Sequence, residues 1–168
     1  MFEFYDQLVP GPIPTLLDRK SEQDIRLVSY NTLNEGILDP NRQSHFRRII
    51  QALDPDIIAL QEHSEWGSIE DIIQSWFPND DWNASWTYGD LVVLSNFSII
   101  SHTQLSSDRS MAVLIETVDR IGKNLLVFNS HLSCCSNDED RQDQVDSFTR
   151  DWREWRLNNT VPFEIEES

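Results

Sequence analysis

Basic residues are scarce in this sequence. Its 13 lysines and arginines stand against 29 aspartates and glutamates, which gives a formal net charge of -16 at pH 7. Such a field repels nucleic-acid phosphates, so nonspecific nucleic-acid binding is disfavoured. A phosphate-bearing ligand would need a metal ion or a local group of arginines to offset this repulsion. The same acidity is also typical of an ordinary protein that resists aggregation, so charge alone identifies no ligand.

Cysteines and long apolar segments are also few. The two cysteines, Cys134 and Cys135, are adjacent and therefore poorly placed to form a disulfide. They follow His131 closely, but the sequence offers no further partners for a four-ligand zinc site. No segment is apolar enough for a membrane span, and no basic segment followed by an apolar run marks a secretory signal. We therefore expect a cytoplasmic protein with reduced thiols and no membrane span.

The length of 168 residues suits one compact domain. Residues 1–24 combine charges with three prolines, which predicts an extended lead-in to a domain formed by residues 25–168. The proline positions are Pro10, Pro12 and Pro14.

The first half of this domain alternates predicted strands and helices. Residues 25–30 form the first strand, and a helix follows with Asp39 as its cap and Pro40 at its first position. The apolar run 57–60 has no polar alternation, as expected for a strand covered on both faces. Ser68 and Asp71 then predict the start of a second helix, which should pack on the same sheet as the first and stop before Pro78.

The second half is predicted to consist of short strands and one long helix. The strands are expected at residues 84–88, 91–94, 98–102, 111–118 and 125–129, with the last two forming a hairpin around residues 119–124. Ser136 and Glu139 predict a helix start. Its apolar stripe would contain Val145, Phe148, Trp152 and Trp155, and residues 161–165 would begin another strand.

Polar clusters follow three of the apolar strands, at residues 29–31, 60–62 and 128–131. In open α/β sheets ligands collect at such strand ends, so these clusters point to one site. A hard cation such as Mg²⁺ prefers carboxylate oxygen and retained water, which makes Glu62 a candidate ligand. Asn31 could orient that ligand, a water or a phosphate, and His131 could donate a proton or hydrogen bond to a phosphoryl oxygen.

Four segments resemble a known family. They are Ser-Tyr-Asn-Thr-Leu at 29–33, Pro-Asp-Ile-Ile-Ala-Leu-Gln-Glu at 55–62, Asp-Leu-Val-Val-Leu-Ser at 90–95 and Phe-Asn-Ser-His-Leu at 128–132. Their order and spacing are similar to those of the endonuclease/exonuclease/phosphatase superfamily, which includes deoxyribonuclease I, apurinic endonucleases, inositol-polyphosphate phosphatases and deadenylases. The second segment is the most specific of the four.

The resemblance implies a two-sheet α/β sandwich like that of deoxyribonuclease I, with helices on the outer faces. It implies that Glu62 is a metal ligand for Mg²⁺, with Mn²⁺ as an alternative, and that Asn31 is an asparagine of the same metal and catalytic site. His131 would contact the scissile phosphate or assist its leaving group. Arg141 and Gln144 resemble residues that support the site, and the implied substrate is a phosphate ester of unspecified identity.

The sequence departs from the family pattern after residue 165. Members normally continue into a Gly-Asp-x-Asn motif and a late Asp-His pair, and neither is found in these 168 residues. Those motifs supply phosphate contacts and the general base in the family, so we expect an incomplete sandwich and a low rate. Two hypotheses follow: a truncated metal-dependent phosphodiesterase, nuclease or phosphatase domain, or a non-catalytic remnant that acts in binding or assembly.

Other polar and aromatic residues have a simpler structural interpretation. The acidic run at 137–140 is typical of a helix start, where carboxylates favour the helix dipole. His45, His63 and His102 belong to no motif, and most tryptophans should fill the core and its edges. Trp66 is the exception worth following because it comes shortly after Glu62.

Overall fold

The computed structural model describes residues 18–158, except residues 65, 88–89, 108 and 135–136. Most of the predicted lead-in and the strand predicted at 161–165 therefore lie outside the described residues. The strands are β1 (Leu27–Asn31), β2 (Ile57–Gln61), β3 (Asn83–Thr87), β4 (Leu91–Ser95), β5 (Ile99–Gln104), β6 (Ser110–Ile115) and β7 (Leu125–Ser130). The helices are α1 (Gln43–Leu53), α2 (Trp66–Trp76), α3 (Val118–Ile121) and α4 (Asp138–Asn158).

The strands form two sheets. The first has the order β1-β2-β4-β3, in which β1 and β2 are parallel and the other neighbours are antiparallel. The second is antiparallel, with the order β5-β6-β7. Strands β6 and β7 pair from Ser110 opposite Ser130 to Ile115 opposite Leu125, which confirms the predicted hairpin.

Strand β2 is covered on both faces, as the sequence predicts. Ile58 and Leu60 pack against a core formed with α1 and α2, which confirms that both helices lie on this sheet. Ile57 and Ala59 point the opposite way, into the core between the two sheets. That core is completed by Leu91, Val93, Met111, Val113, Ile115 and Val127.

Helix α4 covers the outer face of the second sheet. Phe128 on β7 contacts three aromatic side chains of this helix, namely Phe148, Trp152 and Trp155. The layers are therefore helices, sheet, sheet and helix, which is the predicted two-sheet α/β sandwich with helices outside. The apolar stripe is only partly buried, since Val145 is 40% exposed and Trp152 is 36% exposed.

Helix α1 starts three residues later than predicted. The Asp39 side chain accepts a hydrogen bond from the Asn41 backbone N–H over 2.9 Å, and the Asp39 carbonyl accepts one from the Gln43 N–H over 2.8 Å. Asp39 thus closes a turn that precedes the helix, because an aspartate readily bonds the backbone two residues on.

Further boundaries also differ from the predictions, among them those of α2 and β6. Helix α2 already begins at Trp66, so Ser68 lies inside it and does not cap it. Strand β6 ends at Ile115, and Val118 belongs to the short helix α3 in the hairpin connection. Gly122 ends α3 with a φ of 75°, a left-handed conformation that glycine adopts without strain. Among the described helices, none is long and apolar enough to cross a membrane.

Candidate active site

The candidate site lies where strands from both sheets end together. Asn31 and Gln61 are paired at the carboxyl ends of the parallel strands β1 and β2, and Glu62 follows directly. His131 follows β7 of the second sheet. The fold therefore brings together Asn31, Glu62 and His131, the three residues that the sequence singles out.

Two buried amides connect the sheets beneath these residues. Gln61 Nε2 donates to Asn129 Oδ1 over 2.7 Å. Asn129 Nδ2 in turn donates to the carbonyls of Leu60 at 2.8 Å and Val92 at 3.1 Å. Because buried polar groups need partners, this network fixes how β7 lies against β2 and β4.

The Glu62 carboxylate is held at both oxygens. Asn31 Nδ2 donates to Oε1 and the Asn34 backbone N–H donates to Oε2, each over 2.9 Å. These two bonds, the Asn31 bond first, hold the pKa of Glu62 below its usual value of 4.5, and the nearby His131 and Arg109 add a smaller lowering. Glu62 is therefore a carboxylate at neutral pH.

Backbone in the left-handed region concentrates around Glu62. Among the described residues, six that are not glycine have positive φ, and five of these lie at this site. They are Leu33 at 53°, Asn34 at 51°, Glu35 at 60°, Glu62 at 56° and Asp90 at 62°. Such conformations cost free energy in residues with a Cβ, and they are frequent at functional sites.

The loop after β1 is tied to Glu62 by its own backbone. Thr32 N–H donates to the Gln61 carbonyl and Glu35 N–H to the Glu62 carbonyl, both over 2.9 Å. Gly36 is needed here because a Cβ at this position would lie 2.6 Å from the Thr32 carbonyl oxygen. The loop thereby delivers the Asn34 N–H to the carboxylate.

His131 lies between Glu62 and an arginine. Its Nε2 is 3.5 Å from Glu62 Oε1, and its Nδ1 is 2.7 Å from an Nη of Arg109. The His131 N–H also donates to the Arg109 carbonyl over 2.9 Å. Arg109 was not predicted from the sequence, although the predicted hairpin was a usable signal, because it places the residues before β6 opposite those after β7.

Arg141 and Gln144 act on the segment that follows His131. The Gln144 amide accepts a hydrogen bond from the Ser133 N–H over 2.8 Å and donates one to its hydroxyl over 3.0 Å. Arg141 donates to the Ser133 carbonyl over 3.3 Å. Both residues thus hold the backbone of Ser133, and their support of the site stays a prediction.

The other histidines and Trp66 lie on or next to several different elements. His45 is on α1, and His102 on β5 lies 6.5 Å from the Trp86 ring. His63 is buried, and its backbone N–H donates to the Asp90 carbonyl over 3.0 Å. Trp66 begins α2, and the acidic residues of the predicted run lie in the first turn of α4.

Comparison with known families decides the relationship. Residues 28–161 match the Endonuclease/Exonuclease/phosphatase family. This chain belongs to that family. The family and the fold together indicate the superfamily that contains endonucleases, exonucleases and phosphatases.

Solved structures of the family share the fold. The human nocturnin catalytic domain with bound sulfate is 15% identical, with a TM-score of 0.59 over 85% of this chain and 63% of that chain. TDP2 from Caenorhabditis elegans is 17% identical, with a TM-score of 0.58 over 82% and 44%. An AP endonuclease from Archaeoglobus fulgidus is 14% identical, with a TM-score of 0.52 over 82% and 52%. The chain spans about half the length of these structures. A search of curated protein sequences finds no significant match.

Members of this family generally use divalent metal ions. A pocket of about 200 Å³ beside Glu62 is lined by Asn34, Glu35, Glu62, Ser64 and Asp90. Within the described part of the chain, no three acidic, histidine or cysteine side chains converge closely enough to hold a metal by themselves. Mg²⁺ often binds through only one or two carboxylates together with water and substrate phosphate, so an ionised Glu62 fits this kind of site.

Proposed function

We propose that this chain carries the metal-binding part of the active site of a metal-dependent phosphoester hydrolase, acting as a phosphodiesterase, nuclease or phosphatase. One observation carries the proposal. The Glu62 carboxylate, held by Asn31 and by the Asn34 N–H, lies 3.5 Å from His131 Nε2 at an edge where both sheets end. An ionised carboxylate next to an imidazole provides both a cation ligand and a donor for a phosphoryl oxygen.

Glu62 would hold the cation in this proposal, with Mg²⁺ as the expected ion and Mn²⁺ as the alternative. When bound, such a cation neutralises phosphate charge and activates water at neutral pH. Asn31 keeps the Glu62 carboxylate in one orientation, because its amide donates to Oε1 while its own oxygen accepts from the Leu33 N–H over 2.8 Å. The positive charge of the bound cation would also offset the repulsion that an acidic protein exerts on a phosphate ester.

His131 would contact the phosphate ester from the second sheet. Its Nε2 faces the Glu62 side of the site, where a hydrogen bond to a phosphoryl oxygen or to the leaving-group oxygen stabilises developing negative charge. Arg141 and Gln144 support this role indirectly, since they hold Ser133 two residues further along the chain.

The substrate belongs to the class of phosphate esters. The human nocturnin catalytic domain was solved with a sulfate anion, which has the tetrahedral shape of a phosphate group. The net charge of -16 argues against nonspecific nucleic-acid binding and for recognition within the site. A cytoplasmic location is part of this proposal.

The test combines metal binding with turnover. Mn²⁺ binding is followed by electron paramagnetic resonance, and Mg²⁺-dependent hydrolysis is followed with bis(p-nitrophenyl) phosphate. Glu62→Gln should weaken Mn²⁺ binding and abolish the hydrolysis. Glu116→Gln is the matched control, since Glu116 is exposed beyond the opposite end of β6 and should change neither measurement. Equal activity in the Glu62→Gln variant and the unmodified chain would contradict the proposal and favour a non-catalytic binding or assembly module.

A further inference from the structure

Arg109 and His131 are neighbours across the open end of the β6–β7 hairpin. Ser110 and Ser130 form the last pair of the two strands, and their hydroxyls share a hydrogen bond of 2.9 Å. The next position continues the ladder, because the His131 N–H donates to the Arg109 carbonyl over 2.9 Å. Residues opposite each other on antiparallel strands project to the same side, which brings the guanidinium to the imidazole.

The chemistry of this contact determines which imidazole nitrogen carries the proton. A guanidinium has only donors and stays protonated in proteins. The 2.7 Å contact between the Arg109 Nη and His131 Nδ1 must therefore be a hydrogen bond that Nδ1 accepts. A neutral imidazole whose Nδ1 accepts carries its proton on Nε2.

We propose that Arg109 is a positioning residue that holds His131 in the tautomer with the proton on Nε2, directed toward the phosphate ester and Glu62. The Nε2–H then faces Glu62 Oε1 at 3.5 Å, whereas the opposite tautomer would point a lone pair at the carboxylate. His131 consequently donates at Nε2 and does not accept a proton there. The role of the Nε2 proton toward a phosphate ester rests on the proposed function, whereas the tautomer itself does not.

The Arg109 side chain contacts the site through His131 Nδ1. The hydrogen bond from the His131 N–H to the Arg109 carbonyl involves only backbone and does not depend on that side chain. Replacing Arg109 should therefore affect turnover more than folding.

The direct test is nitrogen NMR of the histidine rings. The folded, metal-free chain is labelled with ¹⁵N and observed at a pH about two units above the ordinary imidazole pKa of about 6.5, where neutral rings are compared. The His131 signals are assigned by their loss in His131→Gln. The unmodified chain and Arg109→Lys should show the limiting shifts of a single Nε2-protonated tautomer. Arg109→Met should show shifts averaged between the two tautomers.

Turnover supplies the second readout and separates the two proposals. Arg109→Met should lower the kcat of the Glu62-dependent hydrolysis by about tenfold or more with little change in KM, and Arg109→Lys should recover most of it. Arg48→Met, an exposed arginine on α1, is the matched control and should leave both tautomer and rate unchanged.

Two results would overturn the assignment. One is protonation of Nδ1 in the unmodified chain, and the other is identical ring shifts in the unmodified chain and in a folded Arg109→Met variant. A fixed Nε2-protonated tautomer without any Glu62-dependent hydrolysis would leave the role of Arg109 standing and reject the proposed function. Urea unfolding of each variant distinguishes these results from loss of the fold.

Discussion

Gln61 and Asn129 join the two sheets through one buried hydrogen bond of 2.7 Å. Both residues lie close to a candidate site residue in the sequence. Glu62 directly follows Gln61, and His131 lies two positions after Asn129. The distance between the carboxylate and the imidazole is therefore set by how the two sheets are joined. A buried amide pair suits this task because its hydrogen bonds are directional, whereas apolar packing alone would allow the sheets to slide.

Asn129→Leu should destabilise the fold more than its change in volume suggests. It removes the shortest of the hydrogen bonds from Gln61 Nε2 and the donor to the carbonyls of Leu60 and Val92. Each uncompensated buried polar group costs about 1–3 kcal/mol, so we expect a loss of about 3 kcal/mol in the free energy of unfolding, measured with urea. Asn158→Leu, at the exposed end of α4, is the control and should change it by less than about 0.5 kcal/mol.

The lowered pKa of Glu62 predicts a specific dependence of stability on pH. A carboxylate whose pKa is lower in the folded state adds stability above its unfolded pKa, and this stability is lost as the pH falls through the folded pKa. The window therefore opens near the ordinary value of 4.5 and extends downward. In metal-free buffer the stability advantage of the unmodified chain over Glu62→Gln should be constant from pH 7 to pH about 5 and shrink below that.

The control for this prediction is Glu116→Gln, which removes an exposed carboxylate beyond the opposite end of β6. A difference between the unmodified chain and Glu62→Gln that stays constant down to pH about 3 would contradict the contribution of the Asn31 and Asn34 hydrogen bonds.

Gln144→Leu should loosen the segment after His131 without unfolding the domain. The Ser133 N–H donates to the Gln144 amide oxygen, so its hydrogen exchange should become at least about tenfold faster when that acceptor is removed. Gln142→Leu is a control from the same helix, because Gln142 bonds Asp146 on an exposed face. Unchanged exchange at Ser133 would mean that Gln144 does not hold this segment.

The sequence predicted the site residues whose position depends only on where a strand ends. Asn31 and Glu62 meet because adjacent parallel strands end at one edge, and an apolar run such as 57–60 shows where a buried strand ends. Arg109 was missed because its contact with His131 depends on hairpin register, and the predicted first strand ran to residue 118 whereas β6 ends at Ile115, opposite Leu125. Gln61 and Asn129 were known as motif residues, but their bond depends on packing between sheets.

Helix starts were predicted less well for a related reason. Asp39 and Ser68 are both good capping residues by type, yet Asp39 bonds within a preceding turn and Ser68 lies inside α2. Local propensity gives several acceptable starts within a few residues, and tertiary packing selects among them. The α2 residues Ile69, Ile73 and Trp76 are all buried, so the apolar face was predicted correctly although the boundary was not.

Phe128 packs against α4, the helix that also carries Gln144 and thereby holds the segment after His131. Replacing Phe128 tests whether the packing of α4 and the protection of that segment are coupled. The ring contacts Phe148, Trp152 and Trp155, with centroid distances of 4.9, 5.6 and 6.1 Å. Phe128→Ala removes these contacts from a half-buried position, so we expect a loss of about 3 kcal/mol in the free energy of unfolding. Because α4 also carries Gln144, exchange at the Ser133 N–H should become faster in the same variant.

Two comparisons make this prediction specific. Phe128→Leu keeps most of the volume and should cost about half as much, with a smaller effect on Ser133. Leu157→Ala lies on the same helix but is 84% exposed, so it should alter neither stability nor exchange. If Phe128→Ala lowered stability while the Ser133 N–H kept its full protection, α4 packing and the His131 segment would be independent, and Gln144 would hold that segment without help from the aromatic cluster.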